Sequence, residues 1–157
     1  MVRLRWIAHD RIENKISLHH VISEVSNIEL MPDSAKCATL LENMSAYVND
    51  IRRRTYTEWI EGVETIALAC RRISDDTNIT ADLLMKYGFM AQNLANYDVA
   101  IKTYEKVAEM SNADLRNVAA AYNNLWGIFM EQGDADNARK MLKKARDIKS
   151  KIFDFNV

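Results

Sequence analysis

Proline occurs once in this chain of 157 residues and glycine only four times. These residues interrupt helices and build tight turns, so their scarcity speaks against a strand-and-turn architecture and for long helices. Cysteine is as sparse: Cys37 and Cys70 stand alone, with no spacing that suggests a disulfide framework or a zinc site. Both read as reduced thiols used as small apolar side chains. No apolar run approaches the roughly 20 residues that span a bilayer, and the N-terminus carries no signal-peptide core. The expectation is a soluble, cytoplasmic protein without a membrane partner. A net charge of −1 supports no general claim on nucleic acid. What is plentiful is apolar residues, 48% of the chain, enough to bury the core of one domain. The charges are also unevenly placed. Residues 61–137 hold 12 acidic and 6 basic side chains, whereas residues 138–157 hold 7 basic and 2 acidic ones. The body reads as acidic and its last helix as basic.

Catalytic chemistry finds little footing. Gly62, Gly88, Gly127 and Gly133 are scattered, so no glycine-rich phosphate loop is present. His19 and His20 are adjacent, a spacing that on a helix points them about 100° apart and prevents both from gripping one metal. Carboxylate pairs such as Glu61 with Glu64, or Asp75 with Asp76, fit solvated faces and helix caps. The chain reads as a non-enzyme with no metal and no cofactor.

Residues 78–110 organise the rest. Leu84, Tyr87, Gly88 and Ala91 recur at helical spacing, and Tyr97, Ala100, Ile101, Tyr104 and Val107 do so again after a polar turn. The two apolar stripes must face each other, with Gly88 and Ala100 allowing close backbone approach and Tyr97 and Tyr104 filling the wedge beside them. A second copy spans residues 119–150. Tyr122, Leu125 and Phe129 lie on its first helix, Gly133 and Asp134 in its turn, and Ala138, Leu142, Ala145 and Ile148 on its second. Ala100 matches Ala138 and Tyr104 matches Leu142, a constant offset of 38 residues. A fixed period of this size marks a stacked helical array.

On these residues the C-terminal half resembles the tetratricopeptide repeat family, whose helix-turn-helix unit is about 34 residues. The resemblance rests on Leu84-x-x-Tyr87-Gly88, on Asn96-Tyr97-x-x-Ala100-x-x-x-Tyr104, and on Tyr122-x-x-Leu125, Phe129 and Gly133-Asp134-x-x-x-Ala138 in tandem. Trp126 takes the place of the small first-helix residue in the second copy, and the register of its neighbours implies that the Trp is accommodated. The extra residues 111–117 suggest a lengthened second helix or link, as in the longer repeats of kinesin light chains. Those repeats also favour the Asn-Asn-Leu string found here at Asn123, Asn124 and Leu125.

The fold expected for residues 1–157 is all-α, a single right-handed α-α superhelix of seven helices. A helix over residues 7–31 caps it, with Ile12, Ile16, His19, Val21, Ile22, Val25 and Ile28 along its stripe. Residues 34–73 form a degenerate repeat, since Trp59, Gly62, Ile66 and Ala69 lie 38 before Tyr97, Ala100, Tyr104 and Val107. Repeats over residues 81–114 and 119–152 follow. Beyond them Ile152, Phe153 and Phe155 leave apolar residues at the end of an array that wants a polar-faced cap.

In such a stack the first helices line a concave face. Lys86, Phe89, Asn93, Asn123, Asn124, Met130 and Glu131 are the candidate peptide-binding residues on it. The resemblance implies that Asn124 falls where peptide-binding members place an amide for an extended ligand backbone. The cations that clamp a C-terminal carboxylate in some members are missing, with Asp82 and Met85 in their place. The leading expectation is therefore a non-catalytic scaffold that binds a peptide or helix of a partner protein. Self-association through Ile152, Phe153 and Phe155 is the alternative, ahead of nucleic-acid contact through the basic last helix.

Overall fold

The computed structural model describes residues 7–10, 15–18, 33, 35–51, 73 and 77–154. Two strands, β1 (Ile7–Asp10) and β2 (Lys15–Leu18), form an antiparallel hairpin in which Ile7 pairs with Leu18 and Asp10 with Lys15. The expected helix over residues 7–31 is therefore incorrect where its residues are described. The β-branched Ile7 and Ile16 sit in four-residue segments too short to establish a helical period, and they suit a pleated ribbon. Residues 19–31 lie outside the described set.

From α1 (Ala38–Ile51) onward the described chain is all helical: α2 (Asn78–Asn93), α3 (Tyr97–Glu109), α4 (Leu115–Glu131) and α5 (Ala135–Asp154) follow. Five helices are thus described where seven were expected. The second helix of the degenerate repeat, including Trp59, Gly62 and Cys70, lies outside the described residues. Each of the four later helices has a side-chain cap in the preceding residue, which satisfies an amide that the helix leaves open. Thr77 Oγ1 accepts from the Thr80 amide at 3.4 Å, Asn96 Oδ1 from Val99 at 3.4 Å, Asp114 Oδ1 from Arg116 at 2.8 Å and Asp134 Oδ1 from Asn137 at 3.1 Å.

The two turns inside the hairpins are the same turn. Ala95 at φ 57° and Gly133 at φ 77° both take the left-handed conformation. The Asn96 amide then closes onto the Ala91 carbonyl at 2.9 Å, and the Asp134 amide onto the Phe129 carbonyl at 2.8 Å. This is a Schellman closure in each case, and every member of one lies 38 residues from its counterpart. The second hairpin consequently keeps the register of the first, and Trp126 occupies the backbone position of Gly88. Residues 110–114 are the link, and residues 115–117 belong to the first helix of the second hairpin, which starts earlier than the expected residue 119.

Successive helices pack on one another, and α2 also touches α4. A side-chain clamp aligns that last pair: Asn78 Oδ1 accepts from the Asp114 amide and from Asn117 Nδ2, both at 3.1 Å. The two first helices therefore start side by side. Helix α2 has α1, α3 and α4 around it, which explains why Ala81, Leu83, Leu84, Met90 and Ala91 are all buried on it, more than one stripe. The continuous core joins Leu41 of α1 to Leu125 and Ile128 of α4. At Gly88 the close neighbour is a side chain, that of Tyr104, expected to fill the wedge beside it. A Cβ there would meet the Tyr104 ring at 2.7 Å, so the ring itself lies in the space that the glycine leaves.

Candidate functional site

The proposed concave residues divide into several local arrangements. Lys86 is not a free cation on a groove wall. Its side chain, 13% exposed, pairs with Asp82 at 2.6 Å within α2 and donates to Ser45 Oγ on α1, while Ser45 Oγ donates to Asp82 at 3.3 Å. This three-residue bridge ties α1 to α2. Asn93 Nδ2 donates to the Phe89 carbonyl at 2.7 Å, one turn back on its own helix.

Asn124 is turned toward the core. Tyr104 is 0% exposed, its hydroxyl donates to Gln92 Oε1 at 3.3 Å, and the Asn124 amide faces the same hydroxyl. Burial pushes the Tyr104 phenol up to about 12, with Asn124 working in the opposite direction. The Glu131 carboxylate lies toward the Tyr97 hydroxyl, and its accepting oxygens and charge raise that phenol above its ordinary value. Four polar groups in the expected ligand row, Lys86, Asn93, Asn124 and Glu131, thus have intramolecular partners, which leaves Phe89 and Met130 as its exposed apolar members.

The Tyr104 phenol gives a direct pH test. Its raised folded value means that neutral tyrosine is favoured in the folded state, so the stability it confers is complete below pH ~10 and is lost as pH rises toward ~12. Tyr104→Phe should cost about 1 kcal/mol at pH 7 through the lost hydroxyl bonds. By pH ~11 the wild type should have lost about 1 kcal/mol more than the variant. Urea unfolding of both proteins at the two pH values checks this, and a constant gap would contradict it.

Asn123 belongs elsewhere. It lines an open groove of about 480 Å³ with Arg139, Leu142, Lys143, Arg146 and Lys149 of α5. The four cations succeed one another at helical spacing along one side of the helix. Arg139, Lys143, Arg146 and Lys149 make no ion pair with any described residue. Their neighbours on the other side of α5 are engaged, with Lys144 5.1 Å above the Tyr122 ring and Lys140 3.4 Å from Asn137 Oδ1. At the end of α5, Ile152 is half-buried and Phe153 is 74% exposed, while Phe155 lies outside the described residues.

Sequence reasoning missed this groove as a unit, although the basic composition of α5 was its visible signal. Among the described residues no group of three His, Cys, Asp or Glu side chains converges as metal ligands, and no helix is long and apolar enough to cross a membrane. Comparison of the chain with protein-family models, with curated proteins and with solved structures gives no match, so the tetratricopeptide resemblance rests on the residues themselves.

Proposed function

We propose that this protein is a non-catalytic interaction module of the tetratricopeptide type, binding a peptide or helix of another protein. The observation that carries the reading is the repetition of one hairpin, with the same capped Schellman turn 38 residues on, and with first helices held side by side by Asn78. Stacked hairpins of this kind present extended surfaces whose business is contact with other chains. Phe89 and Met130 are exposed apolar residues on those first helices. No described arrangement activates a nucleophile or pairs an acid with a base, and fold alone assigns no reaction.

The right variants are those that leave the internal bridges intact. Lys86 and Asn124 hold Ser45, Asp82 and Tyr104, so their replacement would confound binding with folding. Phe89→Ser/Met130→Ser should instead keep the helical signal and thermal midpoint while losing partners that the wild type retains from a cell lysate. An unchanged set of partners would remove the first-helix face from the function. The second reading, a homodimer through the C-terminal end, is favoured by the exposure of Phe153. It requires a concentration-dependent dimer mass that Phe153→Ser abolishes.

A further inference from the structure

We infer that the open face of the last hairpin, α4 with α5, is a docking site for an acidic amphipathic helix of a partner protein. The inference deepens the interaction-module reading and rests on it. Its starting point is the 38-residue equivalence of the two hairpins. In the first hairpin, Tyr104 is wholly buried, its ring over Gly88 and its hydroxyl met by Asn124 of α4. The α2–α3 hairpin therefore has a helix lying against it. In the second hairpin the residue equivalent to Tyr104 is Leu142, and it is 46% exposed. Trp126, at the Gly88 position, is exposed as well, and a Cβ placed on the neighbouring Gly127 would meet nothing within 4 Å. The same face that the first hairpin uses to seat a helix is present in the second, and among the described residues no helix lies over it.

The chemistry of the face identifies what would cover it. The positions of Arg139, Lys143, Arg146 and Lys149 correspond in the first hairpin to Ile101, Glu105, Ala108 and Ser111. Three neutral residues and one acid have become four cations, lined up along the groove beside Leu142. Leu142 lines the groove with these cations and is exposed, as is Trp126 on α4. An apolar stripe that covers Leu142, flanked by carboxylates one helical turn apart, would satisfy both features. Nucleic acid is disfavoured because the groove has its cations along one helix, with the apolar Leu142 among them.

The test uses the full chain and a labelled synthetic peptide that copies α4, the helix that covers the equivalent face. The peptide keeps Val118, Ala121, Leu125 and Ile128 and carries Glu at the flanking positions, and a control peptide carries Lys there. Fluorescence anisotropy should show saturable binding of the Glu peptide only. That binding should weaken at least about tenfold when NaCl rises from about 50 to about 500 mM, and also in Lys143→Glu/Arg146→Glu, whose side chains are exposed. Leu142→Ser should weaken it at either salt. Absence of binding by the Glu peptide, binding indifferent to the charge reversal, or tighter binding of a single-stranded RNA of similar length would overturn the proposal. So would a dimer that Lys143→Glu/Arg146→Glu dissociates, because the occupant would then be a second copy. Should lysate partners still be lost in Phe89→Ser/Met130→Ser while the Glu peptide fails to bind, the end-face site falls and the interaction module stands.

Discussion

Tyr104→Ala is expected to destabilise the protein by about 3–5 kcal/mol, the range for removing a fully buried aromatic side chain. Its ring rests on Gly88 of α2, its hydroxyl donates to Gln92 of the same helix, and Asn124 of α4 faces that hydroxyl. One side chain therefore joins three helices of the stack, and truncation leaves both a cavity and two polar groups without their partner. Urea unfolding followed by far-ultraviolet circular dichroism gives the number. A loss below about 1.5 kcal/mol would mean that the surrounding helices close over the gap, and that Tyr104 is one packing residue among many.

The second large effect is a difference in sign between two glycines that composition cannot distinguish. Gly88 and Gly127 both sit inside helices, where alanine is favoured by about 1 kcal/mol. At Gly127 a methyl group meets open space, so Gly127→Ala should stabilise the protein by about 0.5–1 kcal/mol. At Gly88 the added Cβ would stand 2.7 to 3.0 Å from three atoms of the Tyr104 ring, and that ring is enclosed on every side. Overpacking of this kind costs about 1–3 kcal/mol, which exceeds or cancels the helical gain. In a Tyr104→Ala background the obstruction is gone, and Gly88→Ala should then become stabilising. That reversal within a double-mutant cycle isolates the ring contact from helix propensity. Equal effects at the two glycines in the wild-type background would refute the close approach.

Much of the helical body could be read from residues alone because its signals are local. Thr77, Asn96, Asp114 and Asp134 each precede a helix and carry an oxygen that can accept from its first turn, a local signal of where a helix starts, although at Asp114 the expected start lay later, at residue 119. The apolar period of α2 to α4 and the 38-residue offset of the two turns are likewise properties of the chain itself. Local reading failed at residues 7–10 and 15–18, where apolar residues at mixed spacing suggested a helix and the chain forms two paired antiparallel strands. Strand pairing depends on a second segment, which a periodicity along one segment does not detect.

The candidate site shows the same division. Sequence determined that α5 is basic, that Asn123 and Asn124 are neighbours, and that Lys86 lies one turn from Asp82. Their roles were decided by tertiary packing. Asn123 and Asn124 are about 100° apart on α4, so one lines a cationic groove and the other reaches the buried Tyr104 hydroxyl. Lys86 could have been a ligand contact until α1 brought Ser45 against it. Leu142 and Tyr104 occupy equivalent positions in the sequence, yet one is exposed and the other buried, because a helix lies over the first hairpin and none among the described residues lies over the second. Sequence therefore determined the hairpins, their caps and their register. Which faces remain open was decided by the order in which helices stack, since burial depends on neighbours that no single segment encodes.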